Sequence, residues 1–447
     1  MKSLLAIIIG KILIFIGKIM HKGSSLPGDY ALKINKNLLK YFKLPKTVIA
    51  VTGSSGKGSI SSMIAEVYRK CGYTVAHNYK GSNLKAGITT LLLENCKLNG
   101  KIDKDVLVYE IDERYAKYVF DDITPGYVVI SNICRDQPPR QGHFDLVYNE
   151  IKKALKLDMH LILNGDDPYL QKFILEGNYK VTYYGIGKNK YSYKQNPFAS
   201  LNLVYCPKCN SKLEYNYYQF ENIGDFYCPS CDFKRPNIDY EITSIDFSKS
   251  EIKINNEYVI HIPFDVLYCA YNTLAAFSLV SILGLDQNKV CSIISKIDSN
   301  KKNHDVYDYN GRKVNVLSNK NENSTTFNQS LLYTKRFKEL KTVIIGWKEI
   351  SRRYNFDDLS WLYDIDFEIL SNLNIEKIIC VGIHRFDIAT RLKYAGIDEK
   401  KILTFEELGS AVKYLKEKTK GDIFSILNFD YVEPFNKLMI EGEIDEH

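Results

Sequence analysis

Between an apolar run, KTVIAV, and a helical stretch, SMIAEVYRKCG, lies VTGSSGKGSIS, residues 51–61. Gly53, Ser54, Ser55, Gly56, Lys57, Gly58 and Ser59 therefore join the end of a strand to the start of a helix. Glycines let backbone N–H groups close around a phosphate, and a helix start adds favourable partial charge. In this reading Lys57 reaches the β- and γ-phosphates, and Ser59 offers a hydroxyl to Mg²⁺, with Ser61 the alternative one step into the helix. Two residues, not four, separate Gly53 from Gly56, so the strict Walker spacing is absent. The strand–loop–helix context carries the nucleotide reading.

Three further groups of residues could do chemistry. In VYEIDE, residues 108–113, Glu110 ends an apolar strand with Asp112 and Glu113 behind it. Downstream of a phosphate loop, a strand-end carboxylate suits Mg²⁺, which keeps several waters and touches phosphate oxygens. The second group is Cys206, Cys209, Cys228 and Cys231, spaced C-x2-C-x18-C-x2-C. That is zinc-ribbon spacing, and four thiolates make a closed, structural site rather than a catalytic one. Third, DDLSWLYDIDFEIL, residues 357–370, sets five acids around a Trp and a Tyr. Acids there also serve as helix-start partners. No catalytic nucleophile accompanies them: there is no G-x-S-x-G, and no Cys–His pairing stands out.

The elements that must position these residues alternate. TVIAVTG, TVAHN, DVLVYEID, YVVISNI, LILNGDD and KVTYYGI are short runs bounded by turn residues, several separated by helical stretches such as DLVYNEIKKALK. This alternation predicts an α/β fold with a mainly parallel sheet. Residues 200–238 break the rhythm as an insertion, and 239–264 read as short antiparallel strands. AYNTLAAFSLVSILGL is a helix of small and apolar residues. A polar stretch near residue 300, IDSNKKNHDVYDYNGRK, marks a domain boundary, and TVIIGW, KIICVGI, KILTF and DIFSILNF give a second α/β pattern beyond it. The domains expected are N-terminal helices at 1–44, a central domain at 45–300 and a C-terminal domain at 301–447.

With 447 residues the chain can build two or three cores. Its net charge of +7 is spread along the chain, so the concentrated basic face that nucleic-acid binding needs is absent. A phosphate-loop protein with scattered apolar-context cysteines fits the reducing cytoplasm. The first twenty residues, MKSLLAIIIGKILIFIGKIM, are apolar but interrupted by Lys11 and Lys18, seven apart and so on one helix face. They read as an interfacial amphipathic helix, a helix packed on the protein itself, or a membrane span.

VTGSSGKGS resembles the ATP loop of the Mur ligases and folylpolyglutamate synthases, which join an amine to a carboxylate through an acyl phosphate. SNICRDQPPRQG (131–142) is similar to their central-domain segment, LILNGDDP (161–168) to their N-x-D-D strand end, and AYNTLAA (270–276) to the helix whose Asn, here Asn272, contacts adenine. The ribbon, the N-terminal helix, SSLPG and DLSWLYDIDFE narrow the resemblance to the MurT family, the ligase-like subunits of lipid II isoglutaminyl synthases. It covers nearly the whole chain. It implies a Mur ligase-type P-loop central domain with an inserted zinc ribbon, then a Rossmann-like α/β C-terminal domain. It implies ATP, Mg²⁺ and Zn²⁺, and a GatD-type glutaminase partner in a heterodimer. The implied reaction is ATP-dependent amidation of the D-glutamate α-carboxyl of the peptidoglycan stem peptide on lipid II, a step of cell-wall biogenesis. It would occur in the cytoplasm at the inner membrane face, with peripheral membrane contact. Lys57 and Glu110 would act at the phosphates, and Asp358 would complete the partner's Cys–His pair, which accounts for the missing nucleophile.

Several positions depart from the family pattern: Ser54-Ser55 in the ATP loop, Pro139, His143, Cys269, Asn303-His304, and NKNENSTTF at 319–327. Two other readings stay open: a stand-alone amino acid ligase, and a nucleotide-binding scaffold subunit with decayed activity.

Overall fold

The computed structural model describes residues 1–20, 25–78, 82–134, 143–196, 198, 204–297, 304–319, 323–348 and 358–441. They form two compact units, one holding most of residues 1–297 and the other residues 298–447 with two short earlier segments.

In the first unit the strands are β1 (Thr47–Thr52), β2 (Val75–His77), β3 (Val106–Glu110), β4 (Tyr127–Ile130), β5 (His160–Asn164), β6 (Lys180–Ile186), β7 (Glu214–Phe220), β8 (Ile223–Tyr227), β9 (Tyr240–Asp246), β10 (Glu251–Ile254) and β11 (Tyr258–His261). Nine make one sheet in the order β11-β10-β9-β6-β5-β4-β1-β3-β2, while β7 and β8 pair separately within the insertion. From β2 to β9 the pairs are parallel, and β9–β11 are antiparallel. Parallel strands covered on both faces need apolar residues at nearly every position. β1 meets this, with every residue after Thr47 buried.

One register sets the site. β1 lies between β3 and β4, with Val51 opposite Glu110 and Thr52 opposite Ile130. The carboxyl ends of three neighbouring strands are thus level, where the strand order switches and α/β sheets open a binding crevice.

The helices α1 (Lys2–Ile19), α2 (Leu26–Ile34), α3 (Lys57–Lys70) and α4 (Lys85–Asn95) come in chain order. α1 packs Ala6, Ile7, Gly10 and Ile14 inward. Lys11 donates to the carbonyl of Leu93 at 2.8 Å, and Lys18 lies 3.9 Å from Glu94. The two lysines do share a face, and it is turned to α4. The face opposite Ala6, Ile7, Gly10 and Ile14 leaves Leu5, Ile8, Ile12, Phe15, Ile16 and Ile19 exposed as an apolar stripe. None of the described helices is long and apolar enough to cross a membrane.

The second unit holds β12 (His304–Tyr309), β13 (Arg312–Asn319), β14 (Lys341–Gly346), β15 (Ile375–Val381), β16 (Ile402–Phe405) and β17 (Asp422–Asn428), in the order β12-β13-β17-β14-β15-β16. All pairs but β12–β13 are parallel. The polar stretch 297–313 thus contains an edge strand. Its turn, Asn310-Gly311, has φ of 51° and 79°, the pairing a tight hairpin demands. Val314, Ile344, Ile379, Ile423 and Phe435 form this unit's core.

Gly28 is where α2 touches α4. A Cβ there would overlap Ala86 O and lie 2.8 Å from Thr90 N. Gly28→Ala should therefore push the two helices apart and cost about 1–3 kcal/mol, read as a lower urea midpoint. An unchanged midpoint would show the contact to be slack.

Candidate functional site

The loop after β1 is shaped by the two residues after β4. The N–H of Ser54 donates to Asn132 O at 2.9 Å and that of Ser55 to Asn132 Oδ1 at 3.0 Å. Ser131 Oγ and Asn132 Nδ2 return donors to Ser55 O, at 2.5 and 3.1 Å. Gly53 and Gly56 both have positive φ, at 117° and 83°. A Cβ on Gly53 would overlap Ser131 Oγ, so the close approach as well as the dihedral calls for glycine. α3 starts at Lys57, and its first N–H groups have no partner within the helix. The Ser55 hydroxyl is buried with no hydrogen-bond partner among the described residues, and a phosphate or its waters would supply one.

The three acids at and after the end of β3 divide their work. Glu110 is held by asparagines: Asn83 Nδ2 donates to its Oε1 at 2.9 Å, and Asn78 brackets its backbone N–H and C=O, both at 2.9 Å. Its Oε2 lies 3.2 Å from where a Cβ of Gly58 would be, so the carboxylate faces the start of α3. Asp112 accepts from the backbone N–H, Nε and Nη2 of Arg114, at 3.1 Å each. Burial pushes the Asp112 carboxyl up, but the Arg114 guanidinium outweighs it and leaves the group below its ordinary value. Glu113 is 2.8 Å from Lys57 Nζ, in an ion pair whose two side chains are both buried. Lys57 also donates to the carbonyl of Gly53. Of the two serines offered for Mg²⁺, Ser59 is exposed in the first turn, and Ser61 donates its hydroxyl to Gly58 O.

Asn272 sits in the helix Leu267–Ile282, and a Cβ on Gly56 would overlap its Oδ1. The adenine-helix candidate and the loop therefore touch. Cys269, one turn earlier, is buried. Asp166 and Asp167 of LILNGDDP are also buried and serve the fold. Asp166 binds Arg235, Tyr271 and Ile186 N–H, while Asp167 accepts from Tyr169 N–H at 2.8 Å.

The four ribbon thiols converge, with all sulfurs within 4.8 Å of one another. Cys206 to Cys231 is 3.6 Å and Cys209 to Cys228 is 3.4 Å. Tetrahedral zinc with bonds near 2.3 Å puts sulfurs about 3.8 Å apart. The N–H groups of Lys208 and Ser230 point at Cys206 and Cys228, both at 3.4 Å, as thiolate acceptors require. The donor set fits zinc.

In the second unit Asp358 accepts the N–H of Ser360 at 2.9 Å and so starts the short helix Ser360–Asp364. Behind it Trp361 and Trp347 pack with ring centres 5.0 Å apart. Asn328 and Arg391 hold the segment through Asp364 O, Asp366 N–H, Leu362 O and Ile365 O. Tyr363, Ile383 and Phe386 are exposed.

The structure brings together Gly53–Ser59, Glu110 and Asn272, and separately the four cysteines. It adds Asn78 and Asn83, and it gives Glu113, Ser131 and Asn132 partners of which their sequence context shows no sign. Pro139, Asn303, residues 135–142 of the central segment, 200–203 of the insertion and 320–322 lie outside the described residues.

The model of the Mur ligase middle domain matches residues 51–223, and that of the MurT ligase C-terminal domain matches 321–430. The lipid II isoglutaminyl synthase (glutamine-hydrolyzing) subunit MurT of Staphylococcus aureus (strain COL) is 28% identical over 417 residues, 92% of each chain. Its counterpart in Streptococcus pneumoniae (strain ATCC BAA-255 / R6) is 26% identical, over 99% of this chain and 98% of that one. Among solved structures, a pseudomurein peptide ligase type C from Methanothermus fervidus superposes with a TM-score of 0.67 at 19% identity, covering 91% of this chain and 80% of its own. MurF of Acinetobacter baumannii gives 0.63 at 14%, covering 92% and 80%. Both share the fold.

His77 is buried beside the loop helix, 3.2 Å from Ser61 Oγ. Burial, with the Arg69 charge adding, pulls it down to about 4. The unfolded ring takes up its proton near pH 6.5 and the folded ring does not, so stability falls as pH drops through that window. The expected loss is ~2 kcal/mol between pH 7 and 5. His77→Gln should flatten that part of the urea-midpoint profile. An identical slope in the variant would remove His77 as the cause.

Proposed function

We propose a function from one premise: the chain is a divergent member of the MurT family of Mur ligase-like proteins. It is an ATP-dependent carbon–nitrogen ligase, the synthetase subunit of a glutamine-hydrolysing amidotransferase. It amidates the α-carboxyl of D-glutamate in the stem peptide of lipid II. The observation that carries this reading is the convergence of Lys57, Glu110 and Asn272 on one loop, at the switch point of a parallel sheet.

A carboxylate is a poor electrophile until one oxygen becomes a good leaving group. The D-glutamate carboxylate oxygen attacks the γ-phosphorus of ATP, giving an acyl phosphate and ADP. The lone pair of ammonia then adds to the acyl carbon, phosphate leaves, and loss of a proton from nitrogen gives D-isoglutamine. Within residues 53–59, where Asn132 takes the N–H groups of Ser54 and Ser55, the backbone N–H groups at the start of α3 hold the phosphates, and Lys57 meets the charge that moves onto the β–γ bridge. Asn272 contacts the adenine. Glu110 and Ser59 would hold Mg²⁺, which would supply positive charge to the phosphates. Zinc closes the ribbon and stays out of the reaction.

Ammonia comes from a GatD-type glutaminase. Asp358 orients the histidine of that partner's Cys–His pair, as the third member of a triad does. The exposed Tyr363, Ile383 and Phe386 in the same unit offer apolar area for a partner. The substrate is lipid-linked, and the stripe on α1 suits the inner face of a membrane. Lys2 on α1 and Lys33 and Lys36 at and just past the end of α2 are exposed, Lys33 paired with Asp29 at 2.8 Å. Exposed lysines together with an apolar stripe suit an anionic bilayer.

Three experiments test this. With the partner glutaminase, ATP, Mg²⁺, glutamine and lipid II, the product should be lighter by about one dalton, the difference between a hydroxyl and an amino group in the replacement the mechanism requires. Lys57→Ala should abolish that product. Because it strands the Glu113 carboxylate, Lys57→Ala/Glu113→Gln should be equally inactive yet more stable. Amidation by either variant removes the loop from the chemistry. Asp358→Asn should spare nucleotide binding and lower glutamine hydrolysis by the complex at least tenfold, as loss of a triad orienter does. Full glutaminase activity excludes that role. The chain should float with phosphatidylglycerol vesicles, and Ile12→Ser/Phe15→Ser should not. Equal flotation of both would assign binding to another face.

A further inference from the structure

The zinc ribbon is built into the nucleotide half of the molecule. Tyr217 on β7 donates its hydroxyl to Ile186 O at 3.3 Å, and Gln219 donates to the carbonyls of Ile186 and Gly187, both at 3.0 Å. These carbonyls close the end of β6. Beyond the last cysteine, Cys228 N–H bonds Phe233 O at 2.7 Å and Arg235 N–H bonds Phe226 O at 2.9 Å. Phe226 and Phe233 share one cluster with Cys206 and Cys228. The backbone position of Arg235 is therefore set by the ribbon around the four thiols.

From there a chain of short contacts runs to the loop. Arg235 Nε donates to Asp166 Oδ1 at 2.6 Å. Asp166 is fully buried, and its Oδ2 accepts from Ile186 N–H and the Tyr271 hydroxyl, both at 2.6 Å. Phe220, at the end of β7, meets the Tyr271 ring edge-on with centres 5.9 Å apart. The next residue is Asn272, whose amide rests on Gly56. Gly185 makes room: a Cβ there would lie 2.5 Å from Asp166 Oδ1 and 2.9 Å from Arg235 Nη2.

A buried carboxylate keeps its place only while its cation and donors keep theirs. We infer that Arg235, Asp166 and Tyr271 are positioning residues through which the zinc-loaded ribbon fixes Asn272 over the ATP loop, so that zinc occupancy and ATP affinity are coupled. This rests on the reading of residues 53–59 and Asn272 as the ATP site. The coupling is reciprocal: whatever factor zinc contributes to ATP affinity, ATP contributes to zinc affinity.

The test is a titration of the full chain with a fluorescent ATP analogue, before and after zinc is removed by a chelator, in wild type, Tyr271→Phe and Asn272→Ala. Zinc content is measured throughout. Tyr271→Phe keeps the ring and loses one hydrogen bond to a charged group, for which about a tenfold loss of affinity is expected. Zinc removal should weaken wild type by a similar factor and should not weaken Tyr271→Phe further. In wild type, saturating ATP should raise zinc affinity against a chromogenic chelator by that same factor. Should the zinc-free chain unfold, Tyr271→Phe, with its zinc intact, decides alone. Lost affinity in Asn272→Ala with none in Tyr271→Phe overturns the relay. Unchanged affinity in both overturns the nucleotide reading beneath it.

Discussion

The register of β1 between β3 and β4 is the constraint on which the rest depends. Because Val51 faces Glu110 and Thr52 faces Ile130, three strands end at one level. Three segments must then share a small space: the glycine loop after β1, the acids after β3, and Ser131-Asn132 after β4. A one-residue slip would turn every side chain of β1 to the other face. It would also separate Asn132 from the N–H groups of Ser54 and Ser55 that it now satisfies.

Buried polar groups then determine which side chain does what. Lys57 and Glu113 neutralise each other, Arg114 holds Asp112, and Glu110 turns its Oε2 to Gly58 in the first turn of α3. The same logic joins the insertion to the domain that carries it. Asp166 has no exposure to water, so Arg235 and Tyr271 must both reach it. A ribbon of this size has little apolar core of its own, and small modules of that kind draw their stability from metal.

The N-terminal helix shows how packing reassigns a pattern. Lys11 and Lys18 interrupt an apolar run and look like the polar face of a surface helix. In the fold both reach the end of α4: Lys11 bonds the Leu93 carbonyl, where a helix end favours positive charge, and the exposed Lys18 lies near Glu94. Burying the stem of Lys11 beside Gly10 and Leu93 leaves the aliphatic face outside.

Much is legible in the chain itself. The strands around the loop, the antiparallel trio after the insertion and the second α/β pattern follow from runs of a few residues. Periodicity and turn chemistry act locally, so neighbours in sequence suffice to reveal them. Glycines with a lysine at a strand–helix junction, and two C-x-x-C pairs, are likewise local signals. The β12 strand is not legible in this way, because its alternation is carried by tyrosine and valine among acids, on an edge that faces water. Only the tertiary structure decided which acid meets Lys57, 56 residues away, and which tyrosine meets Asp166, 105 residues away. Those pairings are set by strand order and by the need to satisfy charge away from water, and neither is written in the residues flanking the groups concerned.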